Sequence, residues 1–112
     1  MADAQVIINQ AGPLPITVTA DIESDGQSVL TLAGSVWSAT ADRMIGVTLF
    51  VDGKPTMISA SIFSNGPSQH RAVVPVTVPY TFTIGKHKFA LQPLSSATVS
   101  DANDSFCLTV QY

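Results

Sequence analysis

The sequence predicts an all-β domain, an eight-stranded antiparallel sandwich that takes up residues 1–112 as one unit. Three observations predict it. Apolar and polar residues alternate with a period of two through most of the chain. Turn residues punctuate the runs at intervals of about 8–12 residues, the spacing of sandwiches and barrels. Nowhere do apolar residues recur at helical spacing; Thr40–Arg43 is the one place with room for a single helical turn.

The alternation is plainest in three runs. Ile16, Val18, Ala20 and Ile22 are separated by Thr17, Thr19 and Asp21. Phe89 and Leu91 alternate with Lys88, Ala90 and Gln92, and Phe106, Leu108 and Val110 with Ser105, Cys107 and Thr109. Such residues suit a pleated surface with one buried face. Candidate strands lie near 5–9, 16–22, 28–36, 44–52, 57–63, 71–80, 86–92 and 105–111. Asp25-Gly26 and Asp52-Gly53 supply the positive φ that tight hairpin turns need. Asn65-Gly66-Pro67 marks a sharp loop, and residues 94–104 form the longest connection.

Two strands are apolar on both faces. Val47, Leu49 and Val51 line one face of theirs while Phe50 stands on the other. Between 71 and 80, Val74, Val76 and Val78 oppose Val73 and Pro75. A sandwich core takes only one face of each strand. Phe50, Val73 and Pro75 are therefore the expected oligomer interface. Pro75 and Pro79 lack the N–H of a ladder donor, which puts their strand at an edge or a bulge.

Composition points the same way. Charged residues make up 12% of the chain, against about 25% in a typical soluble domain. So few charges defend a surface poorly against association, and a homo-oligomer is expected. The net charge of −3 and five scattered Lys and Arg residues argue against nucleic acid. The N-terminus has neither a basic segment nor a long apolar run, so no signal peptide is predicted. No stretch has the roughly 18 apolar residues of a membrane helix. A soluble protein without membrane insertion is expected, and a lone Cys107 excludes an internal disulfide.

The order of elements resembles the jelly-roll modules of the complement-head and tumour-necrosis-factor type. The residues that carry this are Asp25-Gly26-Gln27-Ser28-Val29-Leu30, the strand and turn Gly46–Lys54, the Gly85–Leu91 strand and the closing run Asp101–Val110. Gln27 and Ser28 stand where that pattern usually has an aromatic. The resemblance implies a jelly-roll topology, trimeric self-association and a binding role toward proteins or glycans. Val47–Gly53 and Gly85–Leu91 also resemble strands of bacterial immunoglobulin-like repeats.

Candidate sites are few. Asp101, Asn103 and Asp104 cluster in a loop. Their oxygens suit part of a calcium site, which needs about six to eight; an Asx-turn leading into the last strand is the plainer reading. Trp37, flanked by Ser35, Ser38 and Thr40, suits a sugar ring at a loop mouth or a plug at the end of the core. Trp37, Asp101, Asn103 and Asp104 are thus the candidate ligand contacts. His70 and His87 have no evident third metal ligand. His70 reads as a surface or hydrogen-bonding residue, and His87 as half-buried and satisfied. No nucleophile elbow or paired catalytic carboxylates are present. The expected function is a non-catalytic binding or structural module without a required cofactor. A carbohydrate-recognition domain is the alternative, ahead of a small hydrolase built on a histidine and a carboxylate.

Overall fold

The computed structural model describes residues 3–23 and 25–112. Met1 and Ala2, on which part of the N-terminal reading falls, lie outside the described residues. Nine strands form among the described residues: β1 (Ala4–Ala11), β2 (Ile16–Ile22), β3 (Gly26–Val36), β4 (Arg43–Val51), β5 (Lys54–Ser64), β6 (Arg71–Ala72), β7 (Val76–Phe82), β8 (Gly85–Pro93) and β9 (Ser105–Gln111). No helix forms among them. Residues 39–42 bend instead, and Asp42 sits at a φ of 58°. No helix is therefore long and apolar enough to cross a membrane.

All strand pairs are antiparallel. One sheet runs β1-β9-β3, with β3 then pairing β7 along one stretch and the short β6 along another. The other runs β2-β8-β4-β5. Only β4 and β5 are joined as a hairpin within a sheet, through the Asp52-Gly53 turn at φ of 53° and 79°. The other connections between the main strands cross from one sheet to the other. First and last strands end up paired, which is the jelly-roll order and not that of an immunoglobulin domain.

The inward faces supply the core. Leu30, Leu32, Val47, Leu49, Phe89, Leu91, Phe106, Leu108 and Val110 are at most 1% exposed. Each such side chain contributes about 1.5–3 kcal/mol through burial. Ser28 is a polar residue on the inward face of β3, and its hydroxyl donates to the Tyr80 carbonyl at 2.8 Å. In β1 the adjacent Ile7 and Ile8 are both buried, because the register slips at a bulge between Val6 and Ile8.

The expected eighth-strand count changes at 71–80. That run splits into β6 and β7, because the chain turns away from β3 after Val73. The Val73 N–H donates to the Gly34 carbonyl at 2.9 Å, and the Val74 N–H to Ser61 of the opposite sheet at 3.1 Å. Pro75, with no N–H, completes the break. Val73 is consequently a core residue, 3% exposed, and not an outward one. Pro75 is exposed and Phe50 half-buried on the outer face beside Ala90. Beyond the break, β7 pairs only with β3, at the sheet edge where its prolines place it.

One end of the sandwich is covered by the 94–104 connection. Leu94 N–H donates to the Gly46 carbonyl at 2.9 Å, and Gly46 N–H to Thr98 Oγ1 at 3.2 Å. A Cβ at Gly46 would collide with the Ala60 carbonyl, so β5 lies against bare backbone here. Leu14 N–H then reaches Ser100 Oγ at 2.8 Å and Gly12 N–H the Asp104 carbonyl at 2.8 Å.

Candidate functional site

The covered end gathers three of the four candidate ligand residues around a histidine. Trp37 directly follows β3 and pairs with Val99 through two backbone hydrogen bonds, of 2.9 and 2.8 Å. This fixes the Trp37 backbone between the strand end and the long loop. His70 arrives from the loop between β5 and β6, which is tied down by Ser68 N–H to the Ser38 carbonyl at 2.6 Å. The two rings lie 5.7 Å apart, tilted by 41°. Trp37 is half-buried, and its indole N–H is enclosed without a hydrogen-bond partner among the described residues.

Asp104 is the hub. Its side chain is fully buried, so its charge needs donors. Oδ1 accepts from Ser35 Oγ at 2.9 Å and from His70 Nδ1 at 2.7 Å. Oδ2 accepts the Asp101 N–H at 2.9 Å. A carboxylate only accepts, so His70 carries a proton on Nδ1. That bond raises the His70 pKa above its ordinary value of 6.5; partial desolvation opposes the shift, and the charges of Asp104 and Asp101 add to it. Asp101 Oδ1 accepts the Asn103 N–H at 2.8 Å, which is the Asx-turn read from the sequence. Asp101 Oδ2 lies 3.7 Å from His70 Nε2. Asn103 itself stays exposed on the turn, and only its backbone takes part.

Ser35, Asp104 and His70 do not make a hydrolytic relay. In such a triad the imidazole sits between hydroxyl and carboxylate. Here the carboxylate sits between the other two, and Ser35 reaches Asp104. The hydrolase reading thus finds a histidine joined to an acid, but no hydroxyl that histidine activates.

His87 lies at the opposite end, since β8 runs from the Asp52 turn toward Val47 and the long loop. The two histidines therefore do not meet across a sheet. His87 Nδ1 contacts Asp52 Oδ2 at 2.6 Å, and Nε2 the Thr83 carbonyl at 2.7 Å. Both partners only accept, so both ring nitrogens donate. The imidazolium that results has its pKa raised, first by Asp52 and then by Thr83, with desolvation opposing. Asp52 moves the other way, below 3.8, chiefly because the Lys88 N–H donates to it and then because of His87. This is the half-buried, satisfied histidine that the sequence predicts.

The long loop and Trp37 were legible as candidates from residue type alone. The link from His70 to Asp104 was not, because it joins side chains 34 positions apart through two independent loops. A histidine closing a polar loop was its only signal.

No protein-family model matches this chain, and no curated protein matches it. Solved structures do. A segment of dimeric latent PorU from Porphyromonas gingivalis superposes with a TM-score of 0.57 at 7% identity, over 98% of this chain and 12% of that one. The EclA C-terminal domain, described as a sugar-binding protein, gives 0.50 at 18% identity, covering 98% and 76%. The CBM36-1 domain of a multidomain xylanase, from the hindgut metagenome of Trinervitermes trinervoides, gives 0.52 at 13% identity, covering 98% and 96%. At these identities the likeness is one of fold, the all-β sandwich. The complement-head and tumour-necrosis-factor resemblance gains no family match.

Proposed function

We propose that this domain is a non-catalytic glycan-recognition module whose sugar meets the loop end. The observation that carries it is the half-exposed pair of Trp37 and His70 beside the Asp101 carboxylate. A pyranose presents an apolar C–H face and a rim of hydroxyls. A fixed aromatic surface takes the face, and carboxylate and amide oxygens of Asp101 and Asn103 take the rim. Asp104 holds that geometry from inside. One of the superposed domains, the EclA C-terminal domain, is described as a sugar-binding protein, and its fold supports the reading. A glycan array, probed with and without calcium, tests it. Binding to at least one glycan is expected, and Trp37→Ala weakens it by about tenfold or more, or about 1.4 kcal/mol. Silence in both conditions, or a Trp37→Ala variant that binds unchanged, overturns the reading.

A second reading, self-association as a trimer, rests on a different surface. Met44, Phe63 and Val74 are 52%, 49% and 61% exposed. With Ile62 and Val76 they line a groove of about 380 Å³. This patch adjoins Pro75 and takes over from the outward face expected at Val73. Sedimentation at micromolar concentration decides: a trimer that Phe63→Ser dissociates supports it, and a monomer removes it.

A further inference from the structure

We propose that His70 and Asp101, with Asp104 behind them, form a binding site for a divalent metal ion of the zinc, nickel or copper kind. Donor atoms from all three side chains lie within 4.8 Å of one another. Their roles differ. Asp104 Oδ1 accepts the His70 Nδ1–H at 2.7 Å. That bond sets the tautomer and turns the Nε2 lone pair outward, as the carboxylate behind a metal-bound histidine does. Nε2 faces Asp101 Oδ2 across 3.7 Å, longer than a hydrogen bond. Two metal–ligand bonds of about 2.1 Å at a tetrahedral angle set their donor atoms about 3.4 Å apart. A shift of a few tenths of an ångström closes the gap onto an ion.

The pair is accessible and already held. The side chains of His70 and Asp101 are 40% and 42% exposed. Asp101 spends Oδ1 on the Asn103 N–H, which leaves Oδ2 for the ion. Its own backbone N–H is tied to Asp104 Oδ2, and its carbonyl accepts the Asp104 N–H at 3.0 Å. Little side-chain freedom remains to be lost on binding. Solvent fills the other positions, so the affinity is modest. An imidazole nitrogen selects zinc-type ions over calcium, which takes about six to eight oxygens. His87 offers no such site, because both of its nitrogens are already donating. The proposal goes beyond glycan recognition and does not depend on it, since the probes are metal ions alone.

Trp37, the one tryptophan in the sequence, is the reporter, with its ring 5.7 Å from that of His70. Titration with Ni²⁺ is expected to quench its fluorescence saturably. Zn²⁺ restores the emission, and an excess of Ca²⁺ does not. His70→Asn keeps an N–H donor toward Asp104 but removes Nε2. It is expected to weaken Ni²⁺ binding by at least about tenfold, as is Asp101→Asn. His87→Gln leaves it unchanged. Urea unfolding of His70→Asn separates lost binding from lost fold, and Asp101→Asn carries the test if that variant does not fold. Unsaturable quenching, displacement by Ca²⁺, or undiminished binding by a folded His70→Asn or Asp101→Asn overturns the site. An empty glycan array leaves these outcomes untouched.

Discussion

The two ends of the sandwich each join a histidine to an aspartate, with the burial reversed. At the loop end the acid is inside: Asp104 is 0% exposed and His70 40%. At the turn end the base is inside: His87 is 13% exposed and Asp52 48%. The buried partner fixes what each pair is for. A buried carboxylate collects donors until it is satisfied, and Asp104 takes three, from Ser35, His70 and Asp101. Its histidine is then anchored by one nitrogen and open at the other. A buried imidazole at the turn end has an acceptor on each nitrogen, which leaves nothing to offer a ligand. One end is built to present a group, and the other to close a turn.

Removing the acid at each end breaks this comparison most directly. Asp104→Ala strands the Ser35 hydroxyl, the Asp101 N–H and the His70 N–H, whose bonds to it are all part-buried. The expected loss of stability is about 3 kcal/mol, typical of breaking a buried charged network. Asp52→Ala frees the Lys88 N–H and His87 next to water, and about 1 kcal/mol is expected from an exposed pair. Chemical denaturation of the two variants measures both. Equal losses would mean that burial does not set the role of each pair.

The framework of this asymmetry was legible in the sequence, and its contents were only partly so. Period-two alternation located β2, β8 and β9 closely, since one buried face leaves that signature in residue order. Asp52-Gly53 and Gly26 turn with positive φ as their residue types require. The Asx-turn of Asp101 and Asn103 was legible for the same reason: it is local. What failed was non-local. The alternation at 71–80 continues through Val74 without showing that this residue leaves β3 for Ser61 of the opposite sheet, and Pro75 was the one sign of a break. The burial of both Ile7 and Ile8 depends on a bulge that no residue announces. The His70–Asp104 contact depends on where two loops close over the core, and loop closure leaves no periodic trace.

A smaller effect sharpens the comparison at the turn end. The His87 pKa is raised on folding, so the folded state holds its proton more tightly than the unfolded chain does. The stability this contributes is fully present below 6.5, the ordinary value, and is lost as pH rises through the higher folded value. Asp52 works at the other limit. Its contribution is present above 3.8 and is lost as pH falls through its lowered folded value. The pair therefore stabilises the fold most between these limits. With Asp52 half in water, screening holds the effect to under about 1 kcal/mol. Urea midpoints of the parent and of His87→Gln, compared from acid to mildly alkaline pH, measure it. His70 titrates in the same direction, so the difference between the two proteins carries the His87 part. That difference is expected to be largest in the window and to shrink on the alkaline side. A difference that grows with alkaline pH would mean that His87 is held neutral, and that the turn end keeps an open nitrogen after all.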